Sequence, residues 1–154
     1  MNDIYTTTIN DVPHIESLIH RCFPKPYGLL LSKSLFHVGN NGIDSFVVLY
    51  RNDIEKQYPN GIPNTDKFLL HEDFRSYMIY LYKSDNTEDG VLENLFSEVC
   101  KSLSTTDVLW GRPKLYEEKN AFKELNFCRI TQFTYAFQID TPTNMGILKK
   151  INTP

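Results

Sequence analysis

An α+β fold, with helices on both faces of a mixed but largely antiparallel central sheet, follows from three features of this 154-residue sequence. Bulky apolar runs at Phe46-Val47-Val48-Leu49-Tyr50, Tyr77-Met78-Ile79-Tyr80-Leu81-Tyr82 and Val108-Leu109-Trp110 suit buried strands. Between them, Val12, Ile15, Leu18, Ile19 and Cys22, and later Leu92, Leu95, Phe96, Val99 and Leu103, recur at helical spacing. The resulting order is strand, helix, helix, three strands, helix, strand, helix, strand. A run of strands followed by strand–helix alternation gives a mixed sheet covered on both sides.

Taken in order, Ile4 to Thr8 reads as a strand. Asn10 caps a helix with Pro13 in its first turn, and Pro24 and Pro26 end it after Phe23. Leu29 to Val38 reads as a second helix, closed by Gly39-Asn40-Asn41-Gly42. Ser45 to Arg51 is a strand, and Asn52 to Thr65, with Pro59, Gly61 and Pro63, is a loop. Lys67 to Leu70 reads as a short strand and Arg75 to Lys83 as the central one. Lys83 to Gly90 is a polar turn that feeds a helix over Val91 to Leu103. Asp107 to Gly111 is a strand, Pro113 to Leu125 a helix, and Arg129 to Asp140 a long closing strand.

A 17.9 kDa chain predicts one domain, over residues 1–140, with 141–154 as a loosely held tail. A net charge of −3 argues against broad attraction to nucleic acid or an anionic membrane. No apolar run approaches the roughly 20 residues of a membrane span. The N-terminus lacks the basic start and apolar core of a signal peptide. Cys22, Cys100 and Cys128 are widely spaced and odd in number, which suits buried reduced thiols better than a disulfide framework or metal site. The expected location is the cytoplasm.

Two stretches carry a resemblance. Tyr80-Leu81-Tyr82, the turn and Leu95-Phe96-Ser97-Glu98-Val99 resemble the central strand, phosphate-binding turn and following helix of the GNAT family of acyl-CoA-dependent N-acyltransferases. Asn120-Ala121-Phe122-Lys123-Glu124-Leu125-Asn126-Phe127 resembles that family's late helix. The resemblance implies acetyl-CoA or another acyl-CoA as cofactor and a small-molecule or protein amine as acceptor. It implies a cofactor site over Leu81, Tyr82, Lys83, Thr87, Asp89, Gly90 and Val91, with backbone N–H groups around Leu81 to Lys83 polarising the thioester carbonyl.

The chain also departs from the family's Arg/Gln-x-x-Gly-x-Gly/Ala turn. Aligned on Leu95 and Phe96, Thr87 stands at the basic or amide position, Glu88 and Leu92 stand at glycine positions, and Gly90 is retained. Glycine there permits close backbone approach to a pyrophosphate. Asp85, Glu88 and Asp89 instead bring negative charge to that place.

Acyl transfer needs a base for the amine proton and an acid for the leaving thiolate. Glu72 and Asp73, just before the central strand, are the base candidates, against a reading as exposed loop carboxylates. Phe122 stands where the family's acidic Tyr is expected. Tyr116, six residues earlier on the same helix, is the substitute. His71 beside Glu72 and Asp73 lacks metal-ligand spacing. Cys128 has Arg129 as its cationic neighbour, and Arg112, at the end of a strand, can meet a phosphate or carboxylate, against a reading as a surface arginine in a strand–helix connection. Two functions remain open: an N-acyltransferase, and a protein of the same fold that binds a protein or small ligand without acyl transfer. An exposed closing strand over Phe133 to Ile139 would offer a homodimer edge.

Overall fold

A computed structural model describes residues 3–24, 30–63 and 75–139. The expected strand at 67–70, the residues His71, Glu72 and Asp73, and the tail from residue 141 lie outside these. The elements are β1 (Ile4–Thr6), α1 (Val12–Ile19), β2 (Leu35–Gly39), β3 (Gly42–Arg51), β4 (Ser76–Lys83), α2 (Val91–Cys100), β5 (Val108–Gly111), α3 (Tyr116–Glu124), β6 (Cys128–Arg129) and β7 (Tyr135–Gln138). Short 3-10 turns lie at Ile9–Asp11, Leu31–Lys33 and Ile54–Lys56.

The strands form one sheet in the order β1-β2-β3-β4-β5-β7-β6. All its neighbours are antiparallel except β4 and β5, which run parallel through the α2 crossover. The expected α+β architecture, a largely antiparallel sheet with helices on both faces, is the one found. Period-two alternation distributes the side chains. Val47, Leu49, Ile79, Leu81, Leu109 and Phe137 face α2 and α3, and Phe46, Val48, Tyr80 and Tyr82 face α1. Under α2 and α3, Phe96, Phe122, Phe127 and Phe137 make ring contacts with centroids 4.9–5.7 Å apart. Each such ring contributes about 1.5–3 kcal/mol by leaving water.

The segment expected as a second helix, 29–38, is instead the turn Leu31–Lys33 followed by strand β2. Leucines at 31 and 35 imitate a helical repeat, but Leu35 pairs with Val47 and Phe36 with Phe46. The four residues Gly39 to Gly42 close a hairpin, with Gly42 at φ +102, so turn chemistry overrode helix spacing.

At the N-terminus, Asn10 sits inside the 3-10 turn. Thr8 opens that turn, and Asp11, the residue before α1, accepts the N–H and hydroxyl of Thr8 on its carboxylate at 2.7 and 2.9 Å. Helix α1 ends at Ile19, four residues before Phe23, because His20 adopts the left-handed conformation at φ 58.

The long closing strand is a hairpin of β6 and β7. Its turn is held by Thr131 Oγ1, which accepts from the N–H groups of Phe133 and Thr134. Strand β7 lies between β5 and β6, an interior position in place of the exposed edge expected. Among the described residues no helix is long and apolar enough to cross a membrane.

Candidate functional site

The irregularity that matters is where β4 and β5 part. Their parallel pairing covers Ser76–Val108, Tyr77–Leu109 and Met78–Trp110, and β5 ends at Gly111 while β4 continues to Lys83. Ser84 donates its N–H to Asp44 O at 2.9 Å, which sets the alternation along β4. Even-numbered residues bond to β3, and Leu81 and Lys83 direct their N–H groups to the side where no β5 residue is registered. Helix α3 closes in from that side. A Cβ on Gly111 would stand 2.5 Å from Phe122 Cζ and 2.6 Å from Ile79 O, so glycine is required for this approach.

The turn between β4 and α2 is fastened to β3. Thr87 is 7% exposed, and its hydroxyl donates to Asp44 O at 2.8 Å and lies 3.1 Å from Ser84 Oγ. Thr87, expected at a cofactor site, is thus a structural tie. Gly90 caps α2 at φ +88, a conformation that suits glycine. Asp85, Glu88 and Asp89 are exposed around it. Val91 begins α2 and is buried, while Tyr82 stacks on Phe46 on the opposite face of the sheet, with centroids 5.4 Å apart. Burial, then the charges of Glu117 and Asp85, raise the Tyr82 hydroxyl pKa.

Two cavities flank the turn. One, of about 550 Å³, lies between the turn and α3 and is bordered by Lys83, Asp89, Asn120, Lys123 and Glu124. The other, of about 910 Å³, lies between the β2–β3 hairpin and the start of α2. His37 and Asp44 line the larger one, with Nδ1 and Oδ1 2.7 Å apart. Lys83 reaches Glu124 Oε1 at 2.8 Å. Burial lowers the Lys83 pKa, but the hydrogen bond and charge of Glu124, with Glu93 and Asp89, leave it raised.

Tyr116, the substitute acid, is 69% exposed at the first residue of α3. Phe122 is buried against Gly111 and has no proton to give. Sequence reasoning missed the pair that does sit at the parting of the strands. Arg21 donates from Nη1 and Nη2 to the two carboxylate oxygens of Glu118 at 2.7 and 2.6 Å. Glu118 also accepts the N–H of Leu115 at 3.1 Å and is fully buried. Arg21 follows α1 on one face and Glu118 belongs to α3 on the other, so the pair joins the two helical layers. The Arg21 guanidinium lies 5.6 Å over the ring of Tyr80, whose hydroxyl burial pushes up to about 12. The available signal was Glu118 at the third position of a helix, where a carboxylate caps free N–H groups.

Arg112 is fixed by Thr134 Oγ1 at 3.0 Å and Gln57 Oε1 at 3.3 Å, and lies over the rings of Trp110 and Tyr58. Burial pushes the neighbouring Tyr58 phenol up, but hydrogen bonds with Thr134, Arg112 and Thr131 and the Arg112 charge bring its pKa below the usual value. Burial pushes the Cys100 thiol up to about 12. In a native thiol assay Cys22, which is exposed, is expected to react with Ellman's reagent at once, while Cys100 reacts only on unfolding. Fast labelling of Cys100 in the folded protein would contradict that burial.

No family model and no curated protein matches this sequence. Among solved structures, an uncharacterized protein from Bacillus halodurans is similar, with a TM-score of 0.52 and 14% identity over 96% of this chain and 88% of that one. At that identity the likeness speaks for the fold alone.

Proposed function

We propose that this protein is a GNAT-like N-acyltransferase, moving an acetyl or other acyl group from CoA to an amine. The observation that carries the reading is the parting of β4 from β5, which leaves the N–H groups of Leu81 and Lys83 without a strand partner beside the start of α2. An extended arm containing amide bonds adds to such an edge as a strand does. The anionic end of the same ligand then falls near the helix start. Bound there, acyl-CoA supplies an activated thioester carbonyl. The chain's share is to align that carbonyl with a β4 backbone N–H and to take up the amine proton, for which Glu72 and Asp73 are the candidates, as the C–N bond forms, the C–S bond breaks and CoA leaves as its thiolate.

Titration calorimetry with acetyl-CoA, with desulfo-CoA and truncated CoA as controls, tests this. Binding in the micromolar range is the expected result, and no binding up to millimolar ligand would retire the proposal. Glu88 is exposed beside the helix start, so Glu88→Gln is expected to strengthen binding about two- to fivefold at low salt, with the gain fading as salt rises.

A second reading, a binding protein of this fold without acyl transfer, is favoured by Phe122 and by the fastened Thr87. It predicts acyl-CoA or protein binding with no thiol release in the presence of any amine.

A further inference from the structure

The larger cavity is built around one irregularity in the sheet. The β2–β3 register steps from His37–Ser45 to Val38–Ile43, so Asp44 is the extra residue of a β-bulge. A bulge re-aims the side chain it carries. Here it sets Asp44 Oδ1 2.7 Å from His37 Nδ1, with both side chains largely buried. Glycine is required at position 39, because a Cβ there would run into the Asp44 carboxylate. The Asp44 carbonyl accepts the Ser84 N–H and the Thr87 hydroxyl at 2.9 and 2.8 Å. One bulge residue thereby holds both walls of the cavity, the hairpin and the turn before α2.

A carboxylate only accepts, so Asp44 fixes the hydrogen of the neutral imidazole on Nδ1. Nε2 is then left as an acceptor, and among the described residues the His37 side chain makes its hydrogen bond through Nδ1. The rest of the lining suits a donor. Asp3, Glu88 and Asp89 border the cavity, Asn94 adds an amide, and neither lysine nor arginine borders it among the described residues. Asp3 is tied to β2 by its carbonyl, which accepts the Val38 N–H at 2.9 Å. An anion would meet carboxylates with no cation to offset them. A cation with N–H donors meets charge and acceptors together. The carboxylates alone would form a solvated acidic rim, and the oriented imidazole is what asks for a donor.

We propose that this cavity binds a small organic cation with several N–H donors, of the aliphatic di- or polyamine class. His37 Nε2 accepts one N–H, and the surrounding carboxylates hold the charge. Asp44 is a positioning residue that orients the ring. The cavity lies on the β3 side of β4, opposite the edge where β5 is missing, so the assignment stands apart from the acyl-CoA reading.

The test is titration calorimetry of the full chain at low salt with hexamethylenediamine, against hexamethonium, the same dication without N–H donors. Saturable binding of the diamine is expected, about tenfold or more tighter than that of hexamethonium. His37→Phe removes the acceptor, and Gly39→Ala displaces the Asp44 carboxylate without touching the ligand. Each is expected to weaken diamine binding about tenfold. Nitrogen-15 shifts of the imidazole rings in the wild type give a reading independent of any variant's folding. The His37 Nε2 signal is expected to move on diamine binding while the His20 signals stay. No saturable binding up to millimolar diamine, equal affinity for the two dications, or a His37 Nε2 signal unmoved at saturation would overturn the site. Unchanged affinity in both variants would overturn it as well.

Discussion

Gly111→Ala is expected to destabilise the protein by about 3 kcal/mol or more, read as a fall in urea midpoint at unchanged slope. The added methyl meets Phe122 Cζ at 2.5 Å and Ile79 O at 2.6 Å. Neither neighbour is free to move. Phe122 is held by Phe127 and Tyr135, and the Ile79 carbonyl belongs to the backbone of a buried strand. Relief comes only by pushing α3 away from β4, which opens the apolar layer beneath α2 and α3 to water. The same displacement alters the edge proposed to receive an acyl-CoA arm, so ligand affinity falls along with stability. A midpoint equal to that of the wild type would mean that α3 is held more loosely than its packing implies.

The second large effect is expected at Arg21. Arg21→Met leaves the Glu118 carboxylate buried with only backbone donors, at a cost of about 3–5 kcal/mol. Replacing both partners should cost less than the sum of the two changes. Arg21→Met/Glu118→Gln removes the stranded charge and keeps an oxygen for the Leu115 N–H. Chemical denaturation of the two single variants and the double variant measures this. Strict additivity would show that the two side chains do not act as a pair.

Much of the sheet was legible because its strands are bulky and its turns polar. The runs at 46–50, 77–82 and 108–110 fall in β3, β4 and β5, and Leu92, Leu95, Phe96 and Val99 face the core from α2 as their spacing implies. Strand β2 was misread because Leu31 and Leu35 stand four apart. Only the pairing with β3, a non-local fact, decides between helix and strand there. The break between β6 and β7 was missed because Thr131 makes its turn through a side-chain oxygen, without proline or glycine to mark it.

The geometry of the turn was legible in part. Gly90 does take the left-handed turn conformation, and the backbone of Leu81 and Lys83 does lie along an edge without a β5 partner. Thr87 was assigned to a cofactor but is spent on Asp44, forty-three residues away in sequence. Arg21 and Glu118 are ninety-seven residues apart, and no local pattern pairs them.

That separation has a kinetic consequence. The Arg21–Glu118 contact can form only after α1 and α3 are already seated on their faces, near the end of folding. Interactions made after the folding barrier leave the rate of folding nearly untouched and are spent almost wholly on the rate of escape from the native state. Chevron kinetics of Arg21→Met should therefore keep its folding arm and raise its unfolding arm. On that outcome the pair sets how long the native protein lasts more than how quickly it is reached.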